Sequence, residues 1–411
     1  MNDGQALRPR DSRLLRAARW MAILVLAGVM VSPPIAVIGQ AGLVVLFVLS
    51  TELRSRFARA ARQPLGAAAL VLLLVIAAGV PFSAVGPAEA ARTLWGWRKL
   101  LMVPVGLALF DTRTAKLQLL RAFVSACAAL ALLSYVAFFA KISFPIPDPT
   151  PGIVSRNHST QGAVFCLGAF GAAAVAVYGF GLSRRVRIAH AGIAAFIVSN
   201  IMLVTTGRTG YLVLLVCAVA LAGGWALDRG FSLRTAFVAA LAASALLLSA
   251  LLTVPASRQG IDRAVSEMQT YRQETQITSM GIRVVFWRNT LQLLRERPIL
   301  GWGTGSFEAA YRTRVQGVPG VAGTVTRDPH NQYLAIATEN GLLGLAALLA
   351  FIASAAWQRP ARPFAVLGLG ALAAWCATSL ANSHFATFGE GTLLYAWLGA
   401  MLAREREPPP A

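Results

Sequence analysis

At 411 residues, 56% hydrophobic and only 13% charged, with a mean hydropathy of +0.62, the chain falls outside the soluble globular class, whose members carry about 25% charged residues. The net charge of +20 would suit nucleic acid, but most of it sits in short loops between apolar runs; that is how arginines mark the cytoplasmic ends of membrane spans, and no nucleic-acid partner is expected. The cysteines (Cys127, Cys166, Cys217, Cys376) lie in apolar stretches outside any CxxC spacing and read as small packing residues, neither disulfides nor metal ligands.

In chain order, Arg8, Arg10, Arg13, Arg16 and Arg19 precede an apolar run too long for a signal peptide. Pro33-Pro34 divides that run into spans at about 20–33 and 35–51. An inner loop from Arg54 to Arg62 follows, then a third span at about 64–82. An outer segment carries Glu89, Arg92, Trp95 and Trp97 before span four at about 97–110. Span five (117–140) leads to a proline-rich outer loop, KISFPIPDPTPGIVSRNHSTQG, with no helix or strand period. Span six (162–182) returns inside, and spans seven (188–205) and eight (210–226) form a hairpin tipped by Thr206-Gly207-Arg208-Thr209-Gly210. Span nine (235–254) runs outward into a long loop, and spans ten to twelve lie at 332–357, 363–382 and 385–403.

This pattern predicts an all-α polytopic membrane protein of about 12 transmembrane helices with both termini inside. Its parts are residues 1–254 with nine spans, an outer loop at 255–331 with amphipathic helices, and 332–411 with three spans and a short cytoplasmic tail. Span parity puts the long loop, Arg156, His158, Arg208, His330 and His384 on one non-cytoplasmic face. The segment 281–344 is the main polar passage in the apolar chain, with a glycine-rich elbow at Gly301, Gly303 and Gly305.

The long loop holds ten arginines, Arg263 and Arg272 among them, against six acids, Glu267 and Glu274 among them, and most of these charges read as a solvated, ion-paired face. Arg295 and Arg297, flanking Glu296, fit that reading. Arg283 differs: at i, i+3, i+4 and i+7 it shares a helical face with Phe286, Trp287 and Thr290. A half-buried arginine there calls for an anion, and its planar fork suits phosphate. Arg208, between two glycines at a membrane surface, presents a fork with little steric shielding. Arg156, beside Asn157 and His158, is a third candidate. At His330, Pro329 fixes the approach and Asn331 can cap the helix that follows; a histidine there can act as a base. No HExxH, GxSxG, P-loop or DxD is present, and the outer acids are scattered. No metal and no cofactor are therefore expected, and arginine would handle any anionic substrate.

The run DPHNQYLAIATENGLLGL resembles the signature of the O-antigen ligase and O-antigen polymerase superfamily. RVVFWRNTLQLLRERPILGWGTGSF, SRNHSTQG and TTGRTGYL are similar to its other motifs, about a quarter of the chain in all. The resemblance implies a membrane glycosyltransferase of the GT-C kind in the bacterial inner membrane, surrounded by lipid and with its active site facing the periplasm. It implies a glycan on undecaprenyl diphosphate as donor, lipid A–core oligosaccharide as acceptor, and inverting, metal-independent transfer. Position by position it makes His330 the catalytic residue and Arg208 and Arg283 the diphosphate ligands, with Arg156 a weaker transfer. Trp287, Arg288, Asn331, Tyr333 and His158 fall in the same motifs as supporting candidates.

The polymerase branch, which joins one lipid-linked unit to another, shares this signature; a single long late loop and a short 141–161 loop favour the ligase. A protein O-oligosaccharyltransferase is less favoured, because no extra domain is expected after Arg404. A secondary transporter would place ionisable groups at mid-membrane and carry internal repeats. These spans are nearly free of charge, and no convincing repeat is found.

Overall fold

The computed structural model describes residues 9–255, 279–358 and 360–405, with Arg258, Gln259, Asp262 and Ser266; Arg8, Arg263, Arg272, Arg359, Glu267 and Glu274 lie outside the described residues. The helices are α1 (Pro9–Val31), α2 (Pro33–Leu49), α3 (Thr51–Ala61), α4 (Pro64–Ala78), α5 (Pro87–Trp97), α6 (Met102–Leu109), α7 (Arg113–Phe139) and α8 (His158–Tyr178). They continue as α9 (Arg184–Asn200), α10 (Arg208–Asp228), α11 (Leu233–Thr253), α12 (Ser279–Glu296), α13 (Phe307–Val315), α14 (Gln332–Ser354), α15 (Arg362–Thr378) and α16 (Phe388–Met401). Local chemistry sets many of the starts. Proline stands in the first turn of α2, α4, α5 and α15, where its missing N–H costs nothing. Side chains of Ser50, Thr112, Asn157, Ser183, Ser232 and Asn331 cap others.

The protein is a polytopic helical membrane protein, but the expected twelve spans are not reached among the described residues. Seven helices (α1, α7, α8, α9 with its extension to Thr205, α10, α11 and α14) are long and apolar enough to cross a bilayer. An eighth requires α2 and α3, bent by 107°, to count as one. The expected spans at 97–110 and 385–403 contain α6, of 8 residues, and α16, of 14. All of α6 and every α16 residue from Glu390 to Met401 is buried within the bundle. At 15 and 17 residues, α4 and α15 are roughly 22–26 Å long, short of the hydrocarbon thickness. A helix that is apolar all round is equally at home against other helices, so hydropathy alone does not fix how many of these segments cross.

Polar contacts sort the loops into two ends. At one end Arg56 bonds Asp111 at 2.8 Å and Glu52 at 2.7 Å, and Arg19 approaches Asp111 at 3.5 Å. Nearby elements are tied by Lys116 to the Ala403 carbonyl at 2.6 Å, Arg404 to the Gln358 carbonyl at 2.9 Å, and Gln358 to Gln63. Arg56 and Asp111 are buried, and such charges are tolerated only when paired.

At the other end the polar 279–331 passage docks. It has its own small core, with Phe286 and Leu293 of α12 against Phe307, Ala310, Tyr311 and Val315. The elbow after Pro298 joins this unit to the bundle. Gly341, with φ 65° and ψ −166°, interrupts α14, and the elbow fills the break. Trp302 N–H donates to the Thr338 carbonyl at 2.9 Å, Gly303 N–H to Glu339 at 2.8 Å, and Leu342 N–H to Pro298 at 2.8 Å. Gly303 has φ +93°, and a Cβ there would lie 2.3 Å from Ser83 Cα. Gly303→Ala should therefore cost about 2–5 kcal/mol through strain and overpacking. Gly317, also at positive φ (+76°) but in open space, should cost only about 1–2 kcal/mol on the same change. Thermal unfolding of the detergent-solubilised variants checks this, and equal losses at both positions would mean that the elbow is not seated.

Candidate functional site

The site is built on a buried polar hub. Gln161 of α8 donates from Nε2 to Ser134 Oγ (3.2 Å), the Gly152 carbonyl (3.1 Å) and Thr205 Oγ1 (3.0 Å). Its Oε1 accepts from Val154 N–H at 2.7 Å and Ser155 N–H at 3.2 Å. Asn200 closes the network, accepting from Thr205 Oγ1 at 3.0 Å and donating to Ser134 Oγ at 3.0 Å. Unpaired, these groups would be costly to bury; paired, they fix the outer loop before α8 and the end of α9. Around Ile201–Thr205 the helix widens into one π turn, and Thr206 takes a left-handed φ of 31°. The chain then enters α10 with Gly207 as N-cap and Arg208 as first residue. Gly162 and Gly210 let α8 and α10 cross closely: a Cβ on Gly162 would lie 3.1 Å from Gly210 Cα.

The two N-termini meet in a cavity of about 490 Å³, lined by His158 and Ser159 of α8, Gly207, Arg208 and Thr209 of α10, Asp148 and Thr150 of the outer loop, and Arg283 of α12 with Asn382. Arg208 and Arg283, 75 positions apart, thus share one cavity. Helix N-termini carry partial positive charge, so fixed dipoles and both guanidinium groups favour an anion there. Asp148 is engaged locally: Oδ1 accepts from Thr150 Oγ1 at 2.6 Å, and Oδ2 from His158 N–H at 3.2 Å, with His158 Nδ1 at 2.8 Å. Burial pushes its carboxyl up, but these hydrogen bonds outweigh that and bring it down to about 2.

His330 stands beside this cavity but does not line it. Its φ is +53°, held by an Asx turn in which its N–H donates to Asp328 Oδ1 at 2.8 Å. The same oxygen accepts from Ser383 Oγ at 2.6 Å. Trp287 Nε1 donates to the Pro329 carbonyl at 2.9 Å, so α12 grips the residue just before the histidine. The ring lies nearly parallel to Phe286, with centroids 6.2 Å apart. Burial lowers the His330 pKa, Asp328 opposes that, and the Arg283 charge lowers it further. The neutral imidazole, the form that can take a proton, is therefore favoured near neutrality.

The next residues fasten this turn to the loop after α15. Asn331 caps α14 by accepting from Tyr333 N–H (3.0 Å) and Leu334 N–H (3.1 Å), and it donates to the Leu380 carbonyl at 3.0 Å. Gln332 N–H bonds the Ser379 carbonyl at 2.9 Å, and Tyr333 OH donates to the Cys376 carbonyl at 3.0 Å.

Of the residues singled out in the sequence, the cavity gathers Arg208, Arg283 and His158. His330, Asn331, Tyr333 and Trp287 form the adjoining wall. Arg156 and Arg288 are exposed and line neither. Several charges of the expected ion-paired face do pair, Arg314 with Glu296 and Arg312 and Arg327 with Glu308, whereas Arg297, expected beside Glu296, lies over Trp302 instead. Sequence reasoning missed Gln161 and Ser383, and it saw Asp148 and Asp328 only as scattered acids, although each bonds a histidine. The lone glutamine at the head of an apolar helix was the one readable signal for the hub. The buried pair behind α8, where Thr160 Oγ1 donates to Glu390 Oε1 at 2.5 Å, links residues 230 positions apart and left no trace.

Comparison with known proteins bears on the segment that carries these groups. A protein of Haemophilus influenzae described only as uncharacterised is 32% identical over 111 residues, 26% of this chain. The chain spans about a quarter of that relative's length (27%) in the match. The family model described as Wzy_C, O-antigen ligase, matches residues 193–349. That stretch holds Arg208, Arg283, His330 and the break at Gly341, and over it the chain is similar to the O-antigen ligase family.

Proposed function

We propose that this protein is an O-antigen ligase that moves a glycan from undecaprenyl diphosphate to lipid A–core oligosaccharide at the periplasmic face of the bacterial inner membrane. The observation that carries the reading is the shared cavity of Arg208 and Arg283 at two helix N-termini. Fixed positive charge of this kind suits a diphosphate and needs no reorganisation as negative charge grows on the leaving group. The orientation is supported by the cluster of Arg19 with the buried Arg56 and Asp111 and by the arginine-rich loops around it, which belong in the cytoplasm by the positive-inside rule. The cavity end then faces the periplasm.

In this mechanism His330 takes the proton of an acceptor hydroxyl. The oxygen attacks the anomeric carbon, the bond from that carbon to the diphosphate oxygen breaks, and one displacement inverts the centre. Undecaprenyl diphosphate leaves with both electrons of that bond, held by the two arginines. The energy resides in the diphosphate linkage, so no nucleotide is needed. The single long outer passage and the short outer loop before α8 favour lipid A–core as acceptor over a second lipid-linked unit.

Two outcomes follow. Arg208→Ala and Arg283→Ala should each weaken donor binding roughly 10- to 150-fold, the value of a charge-assisted contact. Lysine at either position should recover only part, since the bidentate fork is lost. His330→Ala should abolish turnover with donor affinity nearly unchanged; comparable loss of binding in all three alanine variants would move the base elsewhere. The second outcome is in pH. Because burial and Arg283 lower the His330 pKa, the base stays neutral to below the ordinary histidine value of about 6.5. The rate should hold on acidification through that value and fall only beneath it. A rate already falling well above pH 6.5 would contradict a buried, neutral base.

A further inference from the structure

We propose that His158, oriented by Asp148, is a third ligand of the diphosphate, donating a hydrogen bond from Nε2 to a phosphate oxygen beside Arg208. The inference rests on the diphosphate reading of the cavity and extends it to a pair of residues outside the 193–349 family match.

The geometry carries it in three steps. Asp148 as a carboxylate can only accept, so the 2.8 Å contact from its Oδ2 places a proton on His158 Nδ1. That turns the other ring edge away from the loop. Cδ2, the atom bonded to Nε2, lies 3.2 Å from the position a Cβ on Gly207 would occupy, so this edge faces the start of α10. The side chain is 59% exposed and lines the cavity with Arg208 and Arg283. Among the described residues Nε2 has no protein partner, whereas Nδ1 and the backbone N–H are both committed to Asp148.

An imidazole so placed stands between two acceptors once a diphosphate enters, a carboxylate at Nδ1 and a phosphate oxygen at Nε2. Holding a proton on each nitrogen satisfies both. The bound form is then an imidazolium, whose positive charge offsets Asp148, the one carboxylate in a cavity otherwise built for anions. Asp148 is a positioning residue here, and His158 touches the ligand. This arrangement also explains why a carboxylate is tolerated in that wall.

Amide side chains separate a ligand contact from a structural clip. Asparagine at 158 places an amide near Nδ1 and can keep the Asp148 bond while offering the cavity nothing. Glutamine reaches toward Nε2 and offers a neutral N–H. The measurement is binding of undecaprenyl diphosphate itself to the full-length protein in detergent, with monodispersity and melting temperature recorded for every variant. His158→Asn and His158→Ala should both bind roughly 10- to 150-fold more weakly than the wild type. His158→Gln should recover much of that loss, because a neutral donor is about half as strong as a charged one. Wild-type affinity in His158→Asn, or equal losses in all three variants, would overturn the inference while leaving the arginine site standing. Failure of the wild type to bind undecaprenyl diphosphate would overturn the diphosphate reading and this inference together.

Discussion

The rest of the structure depends on a backbone exchange at Gly341. A transmembrane helix cannot present free carbonyl and N–H groups to lipid, so the break in α14 must be filled by protein. The elbow fills it: Thr338 and Glu339 carbonyls accept from Trp302 and Gly303, and Leu342 N–H is returned to Pro298. This is a sheet-like exchange between a loop and an interrupted helix, made within the bundle. It fixes the distance between α12, which carries Arg283, and the start of α14, which carries His330. Trp287 completes the link by bonding the Pro329 carbonyl. A passage that would otherwise be a surface loop thus holds its chemistry as firmly as the helices do.

The opposite wall of the cavity uses a different device. Gln161 and Asn200 bury amides, and both belong to a network that reaches three helices and the outer loop. Low local dielectric strengthens such bonds and raises the cost of leaving any of them unmade. The network therefore resists sliding of α9 against α8, and the π turn it supports delivers Arg208 to the cavity. One arginine is positioned by packed polar side chains and the other by a docked loop.

What the sequence revealed divides along physical lines. Arg208 and Arg283 were legible because glycines around one and an aromatic helical face around the other are local patterns. His330 was legible from Pro329 and Asn331, which shape the turn and cap the helix. The span count was not, because hydropathy responds equally to lipid and to protein neighbours; α6 and α16 are buried on every side. The break in α14 was not read, although Thr338, Glu339 and Asn340 precede Gly341, because one glycine does not announce a positive φ. Partners such as Ser383 for Asp328 lie 55 residues apart, and no periodicity links them. Arg156, one residue from the N-cap of α8, shows the converse: proximity in sequence to a helix start did not bring it into the cavity.

The most direct test of the account is transfer by the purified protein alone, in excess EDTA, from an undecaprenyl-diphosphate-linked glycan to lipid A–core. The account predicts glycan-bearing core with one undecaprenyl diphosphate released per transfer and an inverted linkage at the anomeric carbon. Lengthening of the lipid-linked glycan with the core left bare would contradict the ligase assignment. Activity that appears only when a divalent metal is restored would contradict the claim that side chains of the protein hold the diphosphate without a metal.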